Sequence, residues 1–193
     1  MNIIQKSSSG NTVMSIDTYL LEQRKIMISS EINENVAIDF VKQIMYLSND
    51  DAKPIKILIS SSGGEIEAGM LMYDAIQGCK VPIETYCIGK AYSMAAVLLA
   101  CAPKGSRYIL PHSKVMIHEP FIAQSGMIGK TDNVKKLYDD LQATKKNMNE
   151  LLANHINKTS KQIAKETAYD HFFSAEEAVR FGLCDKVITV SQI

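Results

Sequence analysis

Short runs of β-branched residues alternate with segments of helically spaced apolar residues along most of this chain. A predicted helix over residues 35–47 is followed directly by a strand over 54–59. A helix that opens at Gly63-Gly64, a strand over 82–88 and a small-residue helix over 92–102 repeat the pattern. Strands and helices that alternate in this way are joined by right-handed crossovers, so the pattern predicts an α/β fold with a largely parallel sheet.

The remaining elements are predicted from local signals. Two further strands are expected over residues 107–110 and 114–118. A short helix begins at the capping box Ser174-Ala175-Glu176-Glu177, and Gly182 stands where a glycine usually ends a helix. A last strand is expected over residues 186–190.

Residues 130–156 combine an apolar stripe with a surface rich in Lys, Asp and Asn. The stripe consists of Val134, Leu137, Tyr138, Leu141, Met148, Leu151, Leu152 and Ile156. At 1.5 Å per residue such a helix is about 40 Å long, more than a domain of this size easily covers. We therefore expect part of the stripe to contact another chain.

At the N-terminal end of the chain, the run Ser7-Ser8-Ser9-Gly10-Asn11 predicts that residues 1–15 are mobile.

Charge and hydropathy exclude several classes of function. The chain has 193 residues, which we expect to form one domain, and its 21 Lys+Arg balance 21 Asp+Glu. A neutral chain lacks the field that attracts phosphates or anionic lipid, so we expect no nucleic acid partner and no membrane partner. The longest uncharged apolar run is about half of the ~20 residues that a bilayer span needs, and the first residues lack a signal peptide's apolar region. The expected location is the cytoplasm.

The cysteines give no sign of metal or redox chemistry. They are Cys79, Cys87, Cys101 and Cys184. Because they form no CxxC pair and no metal-ligand spacing, we interpret them as buried free thiols. The sequence therefore predicts neither a metal nor a cofactor.

Two strand-to-helix corners are candidate chemical sites. Ser60-Ser61-Ser62-Gly63-Gly64 leaves backbone N–H groups open to an anion at a helix N-terminus, although a tight turn explains the same residues. At the second corner, Ser93 is either an N-cap or a nucleophile whose neighbouring Met94 N–H points into the same space. The spacing around Ser93 is not the G-x-S-x-G elbow of the α/β-hydrolases, so that fold gains no support.

A serine nucleophile needs a base and an orienting acid. His118 is the best candidate base, because it ends a predicted strand and Glu119-Pro120 then breaks the pairing. Each of the other histidines has a different assignment: His112 lies in a turn, His155 packs on the long helix and His171 lies near a helix start. Asp170 and Asp185 are both candidate acids, and periodicity alone does not choose between them.

Four motifs occur in order along the chain. They are Ser62-Gly63-Gly64 with Ala68-Gly69, Gly89-x-Ala91-x-Ser93-Met94-x-Ala96, Leu110-Pro111-His112-Ser113-x-Val115-Met116-Ile117-His118-x-Pro120, and Asp170-x-Phe172-x-Ser174-Ala175-Glu176-Glu177-Ala178 with Gly182-Leu183-x-Asp185. Together they resemble the proteolytic subunit of the Clp protease (ClpP), a serine peptidase family, over essentially the whole chain. The resemblance implies Ser93 as nucleophile, His118 as general base and Asp170 as orienting acid. It also implies an oxyanion hole formed by the backbone N–H groups of Gly64 and Met94.

The same resemblance implies a fold and partners. The fold is the ClpP/crotonase-like β-β-α superhelix with a long protruding handle helix, here within residues 119–157, and an axial segment over residues 1–15. The family forms two stacked seven-membered rings, a tetradecamer, and hexameric AAA+ Clp ATPases supply unfolded polypeptides. For this chain the resemblance implies a serine endopeptidase in rings of itself or with a second ClpP. The alternatives are a catalytically weak structural or regulatory subunit of a mixed ClpP ring and a crotonase-like enzyme acting on acyl-CoA.

Several positions depart from the family pattern and predict a divergent paralogue. Glu119 stands where the family usually has glutamine, Ile122-Ala123 where it has two glycines, and Ala168-Tyr169 where it has an Asp-Arg pair that bridges the rings. Lys56 and Gly78 take two positions of the usually aromatic surface pocket that receives the unfoldase loop.

Overall fold

The computed structural model describes residues 1–7, 10–50, 52–121 and 131–193, in which strands and helices alternate. The strands are β1 (Asn2–Ser7), β2 (Gly10–Ser15), β3 (Lys25–Ile28), β4 (Ile55–Ser61), β5 (Ile83–Tyr92), β6 (Arg107–Ile109), β7 (Lys114–Ile117), β8 (His171–Phe173) and β9 (Lys186–Val187). The helices are α1 (Ile16–Glu22), α2 (Glu34–Asp50), α3 (Ile66–Gln77), α4 (Met94–Ala100), α5 (Thr131–Ile156), α6 (Ser160–Glu166) and α7 (Ala175–Phe181), and a short 3-10 helix (Val190–Gln192) follows β9.

A mostly parallel sheet organises these elements. Strands β3, β4, β5, β6 and β9 lie side by side in that order, and each neighbouring pair is parallel. Strand β7 pairs in parallel with the end of β5, and β8 pairs antiparallel with β7. The predicted α/β class with a largely parallel sheet is confirmed.

Helix α4 lies at the centre of the hydrophobic core. All seven of its residues are buried, and three of them are alanine. Small side chains allow close packing: the hydroxyl of Thr85 on β5 donates to the carbonyl of Leu99 at 2.8 Å. A methyl group on Gly69 of α3 would lie 2.2 Å from the Met94 side chain, so α3 also packs closely on α4. The N-terminus of α4 is therefore held firmly in place.

Strand β5 extends further than the sequence predicts. The prediction ended this strand at residue 88 and began a helix at residue 92, but the strand runs to Tyr92 and α4 begins at Met94. Pairing changes along the strand: Thr85–Cys87 pair with β6, whereas Lys90–Tyr92 pair with β7. Because Gly89 interrupts the apolar pattern where the partner changes, local periodicity does not reveal the continuation.

The capping signals near the C-terminus are confirmed, but the last strand is shorter than predicted. Ser174 and Glu177 form a reciprocal capping box, and Gly182 ends α7 with a φ of 101°. Strand β9 ends at Val187 instead of residue 190, because the Gln192 side chain accepts from the Thr189 N–H at 2.9 Å and begins a 3-10 turn.

The predicted long helix is confirmed as α5, which spans 26 residues. Its C-terminal part packs into the core through Leu152, Ala153 and Ile156. Two stripe residues in its N-terminal half remain exposed, Leu137 at 40% and Tyr138 at 53%. The first residue of the predicted helix and Ile122-Ala123 lie outside the described residues, and the assignment of residues 119–157 as a handle stays a prediction.

Strands β1 and β2 form an antiparallel pair in which Ile4 stands opposite Val13. The predicted mobility and axial position of residues 1–15 stay predictions, as does a single domain over residues 1–193. In the part of the chain that the structure describes, no helix combines the length and hydropathy of a membrane span.

The cysteine prediction is largely confirmed. All four are free thiols, and three of them are buried. Cys79 differs, because it is partly exposed. Burial raises the pKa of Cys87 to about 12 and that of Cys101 to about 12. The buried thiols therefore stay protonated at neutral pH and act as small apolar side chains.

Candidate active site

Ser93 occupies a strained corner between β5 and α4. Its φ of 55° and ψ of −124° lie in a region that non-glycine residues rarely adopt. The Ser93 N–H donates to the Met116 carbonyl of β7 at 2.8 Å, which fixes the corner against the neighbouring strand. Ser93 occupies the N-cap position of α4, as one of the two interpretations predicted, but its side chain makes no capping hydrogen bond. Its hydroxyl is instead available for another partner.

His118 follows β7 and contacts Ser93. Its Nε2 lies 2.8 Å from Ser93 Oγ, and its Nδ1 lies 3.1 Å from Asp170 Oδ1. An ionised carboxylate only accepts hydrogen bonds, so Asp170 favours a proton on Nδ1 and leaves Nε2 free to accept from the serine hydroxyl. The His118 side chain is only 16% exposed, whereas that of Asp170 is 63% exposed. The structure thus brings together the three residues of the predicted set.

The two candidate acids have different surroundings. Asp185 accepts from Arg107 Nη2 at 2.6 Å and Nε at 2.9 Å, and from the Gly105 N–H at 2.7 Å. Burial opposes ionisation of Asp185, but the bonds and charge of Arg107 outweigh it and lower the pKa of Asp185. Asp185 is therefore committed to a largely buried ion pair, and Asp170 is the acid beside the imidazole.

Gly63 and Gly64 allow the backbone to pass close to Ser93. A Cβ on Gly63, whose φ is +90°, would lie 2.8 Å from the Ser93 Cβ and 3.0 Å from Met94 N. A Cβ on Gly64 would lie 2.1 Å from the carbonyl oxygen of Ile32. Side chains at these two positions would therefore clash with Ser93 or with Ile32.

Two backbone N–H groups near Ser93 are open. The Ile32 N–H donates to the Gly63 carbonyl, and the Glu65 N–H donates to the Ile32 carbonyl. Because successive N–H groups of an extended segment point to opposite sides, the Gly64 N–H faces away from Ile32. The Met94 N–H is the first of α4 and has no acceptor within the helix. Among the described residues, neither group donates a hydrogen bond. Together they offer two donors to an oxyanion beside the serine.

A cleft and a smaller pocket adjoin Ser93. The cleft has a volume of about 860 Å³, and Gly64, Ser93 and His118 lie in its wall. The pocket is about 40 Å³, and Ser93 and His118 open into it as well. Most of the other residues that line the pocket are apolar. They include Ile66 of α3, Val97 of α4, Ile117 of β7, and Met148 and Leu152 of α5. The Ser93 hydroxyl therefore lies between an open cleft and a mainly apolar pocket.

The remaining histidines contact other partners. His155 Nε2 lies within hydrogen-bond distance of the Tyr73 hydroxyl, at 2.8 Å, and burial, together with the charge of Arg107, lowers the pKa of His155. His171 Nδ1 lies 2.8 Å from a carboxylate oxygen of Glu166. His112 lies in a turn after β6. The predicted packing role of His155 agrees with these contacts.

Two comparisons with known proteins show which family the chain belongs to. A model of the Clp protease family matches residues 8–191. The chain belongs to the Clp protease family. The "ATP-dependent Clp protease proteolytic subunit 2" of Chlamydia trachomatis serovar D is 38% identical over 188 residues, which cover 97% of this chain and 91% of that protein. Proteins of the same name from C. trachomatis serovar A and Chlamydia muridarum show the same identity and coverage.

Residue patterns missed some neighbours of His118 in this Clp protease family member. The Phe121 ring lies 5.4 Å from the His118 ring, edge to face, and Glu119 forms an ion pair with Lys145 of α5. The Glu119 N–H donates to the Thr167 carbonyl at 2.8 Å. The position of Phe121 just after His118-Glu119-Pro120 is a signal in the sequence, but the contacts with Lys145 and Thr167 need the tertiary fold. No cluster of three His, Cys, Asp or Glu suited to a metal occurs in the described ranges.

Proposed function

We propose that this chain is the proteolytic subunit of an ATP-dependent Clp protease, a serine endopeptidase that hydrolyses unfolded polypeptides to short peptides. The observation that carries the proposal is the chain of two contacts from Ser93 Oγ to His118 at 2.8 Å and from His118 to Asp170 at 3.1 Å. These are the contacts that an activated serine requires, and each residue also matches the family's motif.

In the first step, Ser93 Oγ attacks the peptide carbonyl carbon while His118 Nε2 takes the hydroxyl proton. Asp170 stabilises the resulting imidazolium and keeps its ring oriented. The imidazolium then donates its proton to the nitrogen of the leaving amine, which leaves an acyl group on Ser93. A water molecule, deprotonated by His118, hydrolyses this ester and restores the serine.

The tetrahedral intermediate carries a negative oxygen. The Gly64 and Met94 N–H groups, which have no other acceptor among the described residues, are the proposed donors to this oxygen. Met94 N–H also lies at the N-terminus of a buried helix, where the partial positive charge favours an anion. Because these donors are fixed in the backbone, they need no reorganisation when the charge develops.

The apolar pocket beside Ser93 is the proposed site for the side chain that precedes the cleaved bond. Val97 and Leu152 line it with Met148, and Asn149, only 5% exposed, adds a polar group to its wall. A buried apolar side chain contributes about 2 kcal/mol to binding, enough to position the peptide carbonyl at the serine.

We also propose assembly into stacked heptameric rings, of this chain alone or with a second ClpP, supplied by an AAA+ Clp ATPase in the cytoplasm. Family membership supports ring assembly in general. The exposed Leu137 and Tyr138 on α5 support a contact with another chain, because large apolar side chains on a long helix are usually covered.

A peptidase assay tests the proposed function. The purified chain, alone and with an added ClpP ring, is incubated with a fluorogenic short peptide and with an unfolded protein. Ser93→Ala is expected to lower turnover by about 10²-fold or more, because it removes the hydroxyl that contacts His118 Nε2. Turnover that survives Ser93→Ala unchanged would remove Ser93 from the mechanism.

A further inference from the structure

Asn149 is a polar residue on the buried face of α5. The other buried residues of this helix are Leu152, Ala153 and Ile156, which follow Asn149 at the spacing of one helix face. Asn149 therefore stands where the helix otherwise carries apolar side chains, and only 5% of it is exposed. A buried amide costs free energy unless its oxygen and its nitrogen both have partners.

Within the described part of the chain, the oxygen of this amide has a hydrogen-bond partner and the nitrogen has none. The Thr167 hydroxyl shares its single proton between the Ile163 carbonyl, at 3.0 Å, and Asn149 Oδ1, at 3.3 Å. A shared proton leaves Oδ1 able to accept a second hydrogen bond. The amide thus keeps a free donor at Nδ2 and a partly free acceptor at Oδ1.

The free atoms of this amide face the pocket beside Ser93. Asn149 and Thr167 both line that pocket, and most of its other lining residues are apolar. Because so little of Asn149 is exposed elsewhere, the pocket is where its Nδ2 can meet a ligand. A mainly apolar pocket with one amide in its wall therefore adjoins the proposed nucleophile.

The chemistry of Asn149 distinguishes between side chains that could fill the pocket. A hydrocarbon would exclude water from Asn149 Nδ2 and offer it no acceptor, and a buried donor left without a partner is costly. A carboxylate accepts from Nδ2 but has no proton to donate to Oδ1. A carboxamide both accepts and donates, so it can bond to Nδ2 and Oδ1 at the same time.

We propose that Asn149 makes this pocket select a substrate side chain that ends in a carboxamide, so that the chain cleaves after Asn or Gln. The methylene groups of that side chain pack on the apolar wall, its oxygen accepts from Asn149 Nδ2, and its nitrogen donates to Oδ1. The proposal rests on the proposed function, because it names the residue that precedes the cleaved bond. The apolar lining alone would instead assign the pocket to Leu or Met.

Four fluorogenic peptides that differ only in the residue before the cleaved bond test this proposal. Asn and Leu have nearly the same shape, and Gln and Met have the same length, so each pair differs mainly in the amide. The ratio of kcat/KM within each pair is measured for the purified chain and for Asn149→Leu, and this ratio does not depend on the fraction of folded enzyme. Asn147→Leu is the matched control, because it makes the same change at an exposed position of α5 outside the pocket.

The parent chain is expected to cleave the Asn and Gln peptides at least as fast as the matched Leu and Met peptides. In Asn149→Leu, the Asn/Leu and Gln/Met ratios should each fall by at least about tenfold, because the substrate amide would enter an apolar pocket without a partner. Asn147→Leu should keep both ratios. A parent chain that favours the Leu and Met peptides, or ratios that survive Asn149→Leu, would overturn the proposal.

Binding of labelled product peptides, which end in Asn, Leu, Gln or Met, is measured in parallel because it needs no chemistry. Fluorescence anisotropy should show that the amide peptides bind the parent chain at least as tightly as the matched hydrocarbon peptides, and that Asn149→Leu removes this preference. Absent hydrolysis with an intact binding preference would overturn only the peptidase proposal. Absence of the binding preference would overturn the role of Asn149, whether or not the peptides are cleaved.

Discussion

At the scale of single residues, two aspartates close in sequence have different surroundings. Asp170 is 63% exposed and contacts His118, whereas the Asp185 side chain is 14% exposed and is held by Arg107. Breaking a largely buried ion pair costs stability, while removing an exposed acid next to a base affects mainly the base. Substitution at these two positions should therefore separate catalysis from folding.

We expect Asp170→Asn to lower kcat/KM on a short peptide by about 10²-fold or more, with little change in Tm. Asp185→Asn should lower the free energy of unfolding by about 3 kcal/mol, because Arg107 is left without its carboxylate. Denaturant unfolding and peptide hydrolysis measure the two effects. The reverse pattern would exchange the roles assigned to the two acids.

His155 predicts a specific dependence of stability on pH. Burial and Arg107 lower the pKa of His155 in the folded chain, so the unfolded chain takes up this proton first as the pH falls. The stabilisation is therefore present above about pH 6.5 and is lost as the pH falls through the lower folded-state pKa. His155→Gln should show a shallower loss of unfolding free energy between about pH 7.5 and 5 than the parent chain. Identical slopes in urea titrations would contradict this assignment.

At the scale of elements, the site depends on two corners of one sheet lying against each other. The Gly63-Gly64 segment follows β4, and Ser93 follows β5, which is the parallel neighbour of β4. The carboxyl ends of parallel strands meet at one edge, so nucleophile and backbone donors are placed by topology rather than by long side chains.

Gly64→Ala should disrupt this arrangement, because its Cβ would lie 2.1 Å from a backbone oxygen of Ile32. We expect at least about a tenfold loss of kcat and a lower Tm. Gly78→Ala is a matched control, since Gly78 has a φ of −82° and its Cβ would lie 3.1 Å from Asp74 O. Normal activity in Gly64→Ala would argue against a donor at this position.

Only part of this arrangement could be predicted from the sequence. Local patterns predict the alternation of strands and helices and the capping box at Ser174. They also place Ser93 at a strand-to-helix corner and His118 at the end of a strand. The continuation of β5 through Gly89 does not, because it depends on a change of partner from β6 to β7. The choice between Asp170 and Asp185 likewise depends on Arg107, which lies 78 residues from Asp185. The resemblance to the family's motif indicated Asp170, whereas periodicity alone did not distinguish the two acids.

At the scale of the whole molecule, α5 carries apolar side chains that the described chain leaves uncovered. Leu137 and Tyr138 are 40% and 53% exposed. The opposite end of the same helix packs beside Ser93 through Met148 and Leu152. A chain that contacted the exposed end would therefore be connected to Ser93 by one continuous helix.

Leu137→Lys/Tyr138→Lys should reduce the assembly state, because two charges would be buried in the proposed contact. Multi-angle light scattering measures the mass, and circular dichroism checks that α5 is retained. Ala143→Lys is the control, since it adds a charge to an exposed position on another face of α5. An unchanged mass in the double variant would remove this part of the stripe from the assembly interface.

If Ser93 is an activated nucleophile, a fluorophosphonate probe should label it. Intact-mass and peptide-mapping spectrometry after incubation should show one adduct per chain, located on Ser93. The adduct should be absent from Ser93→Ala and form much more slowly in His118→Ala. A purified chain that stays unlabelled, or that carries its adduct on another residue, would rule out Ser93 as the nucleophile and favour a structural subunit.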